Sequence, residues 1–231
     1  MRKALTVGEL LVTMAIIGVI ATLVLPGFMK DYHNRIYTSR LKKVYEMLGT
    51  AINQACIDSN VSYFSQTPYI AVTLQGSVVG SVQQDFIDKY FKKTNNNSNL
   101  STFAATYRML NEDKSISTQR LFVQTPQAER GIGTAKLAGG EAIAFICTKP
   151  NRGTIFLPQT CEFHVDVNGT DGPNIFGRDY FLIKLDNSTN KLNGGAATSC
   201  GRKDADGKET FTEFGEGCLT RIMEDNWEMK Y

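Results

Sequence analysis

Two histidines and one tryptophan are all that this 231-residue chain has of either residue. No P-loop and no G-x-S-x-G motif occurs in it. Five cysteines are present, but no two are spaced as C-x-x-C, so neither a zinc ribbon nor a thioredoxin-type site is indicated. His33 and His164 stand in no metal-ligand spacing, and His164 near Asp166 reads as a surface pair on a strand rather than a catalytic dyad. No enzyme is read from these residues. Excess charge of either sign is also missing. Lysine and arginine total 25, aspartate and glutamate 23, and setting aside Arg2 and Lys3 leaves 23 of each. That balance argues against a generalised nucleic-acid surface, and no nucleic-acid partner is evident.

What the chain does have is a long apolar run at its start. Residues 5–25 hold 21 amino acids with a single charge, Glu9. As a helix that is about 31 Å, enough for a hydrocarbon core of about 30 Å. Arg2 and Lys3 precede it, so the N-terminus is expected in the cytoplasm and the remainder outside. A cleaved secretory signal has a shorter apolar core and opens into a loop. A plain anchor accounts for the length but not for a carboxylate inside the span, which usually has a partner.

A third reading comes from resemblance. Ala4-Leu5-Thr6-Val7-Gly8-Glu9 followed by LLVTMAIIGVIATLVLP resembles the class III signal of type IV pilins and type II secretion pseudopilins. The resemblance covers residues 3–26. It implies cleavage between Ala4 and Leu5 by a prepilin peptidase in the membrane, and methylation of the new amine on Leu5. It places the family's assembly glutamate on Glu9 and its helix-loosening proline on Pro26. Ala4 stands where glycine is usual, and Leu5 where phenylalanine is usual. The implied partners are other pilin or pseudopilin subunits, an inner-membrane assembly platform and membrane lipid. The implied location is a single pass of the inner membrane with an exported head, then a periplasmic or surface filament. The Glu9 carboxylate of one subunit would pair with the Leu5 amine of a neighbour, neutralising two charges at low dielectric. The reading from a different class is a membrane-anchored exported enzyme or binding protein with no filament role.

Past Pro26 the sequence turns amphipathic. Tyr37, Leu41, Val44, Leu48, Ile52 and Ala55 recur at helical spacing, so a stripe is expected to lie against a sheet. Pro26 itself is expected to break or locally melt the helix. Lys30, Arg35, Arg40, Lys42 and Lys43 fall mostly on other faces, either solvated or against lipid phosphates. The helix is expected to end near residues 58–60.

Further along, a second helix is expected over residues 77–92 and a short one over 103–111. Residues 63–74 read as a loop with a possible short strand, and residues 120–124 as a strand. Residues 94–101 read as a surface loop, and the glycine-rich 127–140 as irregular. Residues 141–147, 161–167 and 180–185 alternate like strands. The expected fold class is α+β, a long N-terminal transmembrane and amphipathic helix packed on a small antiparallel sheet, as the pilin resemblance implies. The expected organisation is a leader (1–4), a transmembrane and polymerisation helix (5–27), its amphipathic continuation (28–59) and a globular head (60–231).

An exported head can form disulfides. Cys200 and Cys218 bracket a polar loop that resembles the C-terminal disulfide loop of type IV pilins, so a bond is implied there. A turn at Asn151-Arg152-Gly153 points to Cys147 with Cys161 across two strands, leaving Cys56 as a buried hydrophobe. Cys56 with Cys147 is the alternative. In DVNGTDGPNIFGRDYF, the residues Asp166, Asn168, Asp171, Asn174 and Asp179 offer oxygens for Ca²⁺. An Asx-rich turn is the competing reading. Trp227, with Leu219 and Ile222, is expected to pack the tail onto the head.

Overall fold

The computed structural model describes residues 6–72, 81–94, 100–110, 115–117, 128–150, 160–203, 209–211 and 213–231. The chain divides into two compact units, Met1–Ile36 and Tyr37–Tyr231. One helix, α1 (Val7–Asp58), contributes to both. Helix runs on through Pro26, so no turn is melted there. Proline deletes one N–H donor, and the helix carries on past the missing bond.

In the second unit the expected stripe is buried. Leu41, Val44, Leu48, Ile52 and Ala55 are fully enclosed, and Tyr37 nearly so. The same stretch of α1 is tied to the head by polar contacts: Arg40 Nη1 donates to the Val167 carbonyl at 3.1 Å, and Tyr45 Oη donates to the Leu192 carbonyl at 3.3 Å.

The head is built on a five-stranded antiparallel sheet whose strands neighbour one another in chain order. A separate two-stranded ribbon precedes it, β1 (Thr106–Arg108) with β2 (Ser115–Ser117). The main sheet runs β3 (Ala128–Lys136), β4 (Ala142–Pro150), β5 (Thr160–Asp166), β6 (Tyr180–Leu185) and β7 (Leu192–Asn193). A second ribbon, β8 (Cys200–Lys203) with β9 (Glu209–Phe211), and the helix α3 (Cys218–Glu224) complete it. The chain is α+β, with a long apolar N-terminal helix.

Both faces of the sheet are covered, which is why β4 is buried along most of its length. One face carries Phe145 stacked on Phe163 at 4.6 Å, with Phe64 and Phe86 packed against Phe145. The other face gathers Phe103, Tyr107, Ile132, Ala144, Phe176 and Tyr180 into one cluster. Alternation places successive residues on opposite faces. In β4 both sets are apolar, so that strand has no side suited to water.

Three expectations fail in this region. The glycine-rich residues 128–136 form the edge strand β3 rather than an irregular loop. The reason is helix α2 (Val82–Tyr90), which crosses so closely that a Cβ on Gly131 would strike the Gln83 side chain and one on Gly133 the Gln83 backbone carbonyl. Glycine inside a strand marks a close approach as well as a loop. Residues within the expected 103–111 helix form strand β1 instead, with Tyr107 buried between exposed Thr106 and Arg108. The stretch around 63–72 holds two 3₁₀ turns, Phe64–Gln66 and Pro68–Ile70, and no strand. The expected strand at 120–124, most of the 94–101 loop and the turn at 151–153 lie outside the described residues.

Helix α2 also closes the outer edge of β3. Ser81 Oγ caps α2 and donates to the Ile132 carbonyl at 2.6 Å. The Gln84 amide donates to the Thr134 carbonyl at 3.2 Å and accepts from the Thr134 N–H at 2.8 Å. The side chain thus replaces a missing strand partner and blunts an edge open to aggregation.

Two alanine substitutions should move stability in opposite directions. Gly133→Ala forces a Cβ onto the Gln83 backbone and should cost about 1–3 kcal/mol. Gly49→Ala, inside α1 with open space around its Cβ, should stabilise by about 0.5–1 kcal/mol. Urea denaturation of the detergent-solubilised chain reads both.

Candidate functional site

The first unit presents apolar surface on all sides. The large side chains from Val7 to Met29 are exposed, among them Leu11, Ile17, Leu23 and Phe28. Among the described residues α1 is the one helix long and apolar enough to cross a membrane.

Its start is locally organised. The Thr6 N–H and hydroxyl donate to Glu9 Oε2 at 2.9 and 2.8 Å, and the Glu9 N–H returns a bond to Thr6 Oγ1 at 3.3 Å. This is a capping box, in which a threonine and a glutamate three residues on satisfy each other's free N–H groups. The box is legible in the sequence as Thr6-x-x-Glu9, and it gives Glu9 a partner within its own chain. Ala4 and Leu5, the expected cleavage and methylation residues, lie outside the described residues.

In the head the titratable groups converge below the second face of the sheet. His164 is buried, with Nδ1 2.6 Å from Tyr180 Oη and Nε2 3.2 Å from Glu162 Oε1. That corrects its reading as a surface pair with Asp166. The Tyr107 hydroxyl accepts from the Ala104 N–H at 3.2 Å and donates to Asp166 Oδ2. Burial pushes the Asp166 carboxyl up to about 8, and the charge of Asp179 adds to it, against the donors Tyr107, Asn168 and Gly169. Burial likewise pushes Asp179 up to about 6.

Three of the five residues offered for Ca²⁺, Asp166, Asn168 and Asp179, use their side chains in hydrogen bonds within the protein. Asp166 Oδ1 accepts from the Asn168 N–H at 3.1 Å. Asp179 accepts from the Asn174 and Ile175 N–H groups at 2.7 and 2.6 Å. The Asn168 amide donates to the Asp171 and Gly172 carbonyls at 2.6 and 2.8 Å. Only the side-chain oxygens of Asn168 and Asn174 are buried without a protein donor, and a calcium ion takes six to eight oxygens. Among the described residues no three acidic, imidazole or thiol side chains form a metal group. The segment is a hydrogen-bonded, Asx-rich turn.

Two disulfides are present. Cys147 and Cys161 face each other in register on β4 and β5, with Cα atoms 4.1 Å apart. Cys200 and Cys218 close the second, with Cα atoms 4.8 Å apart. Cys56 is free and buried, and burial raises its thiol pKa. Trp227 meets Tyr45 edge-on at 5.6 Å, with Lys42 5.7 Å from its ring. Leu219 and Ile222 are fully buried. The tail is thereby held to the 37–58 part of α1. The chain shows no significant match to a protein-family model, a curated protein or a solved structure.

The buried acids set a pH dependence. A folded pKa of about 8 for Asp166 lies above its ordinary 3.8, so its stabilising contribution is complete below the ordinary value and is lost as pH rises through about 8. Asp179 acts in the same direction over a window ending near 6. The melting temperature should therefore fall between about pH 4 and about pH 8, and Asp166→Asn should flatten that fall. Calorimetry across the range checks the sign.

Proposed function

We propose that this chain is a structural filament subunit of the type IV pilin or type II secretion pseudopilin kind. It is inserted in the inner membrane as a prepilin, cut before Leu5, methylated on the new amine and assembled by helix packing. The observation that carries the reading is the run from Ala4 through Glu9 and 16 further, mostly apolar residues to Pro26, set on a helix whose first part is exposed and apolar. Its second part belongs to an α+β head.

The head's two disulfides support export, because such bonds persist in oxidising compartments. Arg2 and Lys3 support a cytoplasmic N-terminus. Other subunits, a prepilin peptidase, an assembly platform and lipid are the partners under this reading. No catalytic role is assigned.

One observation favours the plain-anchor reading. The Glu9 carboxylate already has donors within its own helix, from Thr6. A capped glutamate near a membrane boundary has a structural use without any neighbouring subunit. The two readings separate on charge. Glutamine also serves in a capping box, so Glu9→Gln keeps the cap and removes the carboxylate.

Two outcomes are expected in the native host. Mass analysis of the mature chain should find an N-methylated amine on Leu5, and a start near Leu25 would return the secretory-signal reading. Glu9→Gln should insert normally yet incorporate poorly into sheared filaments beside wild-type chains. Wild-type incorporation of that variant would favour the anchor.

A further inference from the structure

Asn60 stands just past the end of α1 with a left-handed backbone (φ 53°), its N–H donating to the Ile57 carbonyl at 3.0 Å. With Val61 and Ser62 it spells Asn-x-Ser, the acceptor signal for an N-linked sugar. Asp58, two residues earlier, extends the signal to acid-x-Asn-x-Ser, the form that bacterial transferases take. Its carboxylate bonds Gln54, Lys89 and Tyr90. These are surface contacts that cost little to release.

Five segments of the chain read Asn-x-Ser or Asn-x-Thr, and the structure separates them. Those at Asn96 and Asn99 fall at least partly outside the described residues. Asn168 shares the extended form, but its amide donates to the Asp171 and Gly172 carbonyls and its Oδ1 is enclosed. In Asn187-Ser188-Thr189 the Thr189 hydroxyl is committed to Asp186 at 2.8 Å, and Asn187 Oδ1 is enclosed as well. Asn60 and Ser62 are both exposed.

The flanks of Asn60 also suit a sugar. Ile57 is 70% exposed and Tyr63 45%, three residues to either side. A sugar ring presents C–H groups that pack on apolar and aromatic side chains while its hydroxyls stay in water. A glycan on Asn60 would therefore cover two large side chains that the head leaves wet.

We propose that Asn60 is the acceptor of an N-linked oligosaccharide, donated from a lipid pyrophosphate. Asn60 Nδ2 bonds to the anomeric carbon, the bond from that carbon to the phosphate oxygen breaks, and the lipid pyrophosphate leaves with the electron pair. One amide proton passes to solvent, and nothing is oxidised or reduced. The Ser62 hydroxyl is the group that the transferase reads. The inference rests on export of the head, which belongs to the filament reading, and adds a modification that this reading does not contain.

Full-length chains are purified from membranes of the native host and mapped by mass, with the state of the four paired cysteines read in the same sample. The peptide that includes residues 57–63 should carry added sugar mass. Ser62→Ala should lower that modified fraction about tenfold or more, and Ser62→Thr, which keeps the hydroxyl, should retain it. Asn60→Asp, tolerated at positive φ, should abolish it.

A bare wild-type peptide with both disulfides formed overturns the proposal and leaves export standing. A bare peptide with Cys147, Cys161, Cys200 and Cys218 as free thiols sinks both. Sugar that survives Ser62→Ala, or that sits on Asn168 or Asn187 and not on Asn60, overturns it too. Sugar on Asn60 of chains that never enter filaments upholds the proposal and sinks the filament reading.

Discussion

Apolar side chains stand exposed along α1 from Val7 to Met29, and water is the environment such a surface cannot tolerate. At about 25 cal/mol per Å² of apolar area, a run of this size must be covered by lipid or by protein. The constraint reaches the head through the shared helix. From Tyr37 onward α1 becomes amphipathic, so that one face enters the core while the other carries Arg40, Lys42, Lys43 and Glu46. The chain thereby joins a stretch suited to apolar surroundings to a domain suited to water without changing secondary structure.

Within the head the dominant requirement is a sheet buried on both sides. Phe145 and Phe163 serve one face, Tyr107 and Tyr180 the other. Burying both faces leaves the edge of β3 as the exposed liability. Ser81 and Gln84 close it with side-chain hydrogen bonds, and this works because Gly131 and Gly133 let α2 come close. Glycine placement, edge protection and helix packing are one solution here. The Cys147–Cys161 bond lies across the two central strands, where neither partner meets solvent.

Much of this was legible from residue patterns. The stripe from Tyr37 to Ala55 and the alternation in β4, β5 and β6 are strong periodic signals, because each element buries a continuous face. The class α+β follows from them. The losses have particular causes. Strand β3 was hidden because glycine signals both a loop and a close approach, and only the position of α2 tells them apart. Strand β1 is three residues long, too short for any period to register. The Thr6–Glu9 box is readable by spacing, but a carboxylate in an apolar run points equally to a partner outside the chain. His164 is buried against Tyr180 and Glu162, and the polar alternation of its strand carries no sign that both faces are covered.

The turn between β5 and β6 is tied to its surroundings by two buried acids. The carboxyl groups of Asp166 and Asp179 each accept from N–H or O–H groups. Those donors come from separate parts of the head. Tyr107 belongs to β1, and the backbone of Arg108 beside it exchanges bonds with Asn174 and Phe176 at 2.8 and 3.0 Å. On another side of the turn, Arg40 of α1 holds the Val167 carbonyl. The turn therefore pins the β1–β2 ribbon and the helix to the end of the sheet. Burying two acids to do so is costly, and the raised pKa values of both record that cost. Replacing either acid with an apolar side chain would leave Tyr107 Oη or the 174–175 N–H groups without an acceptor. These acids are kept for the donors they satisfy, which is a structural reason sufficient without any ligand.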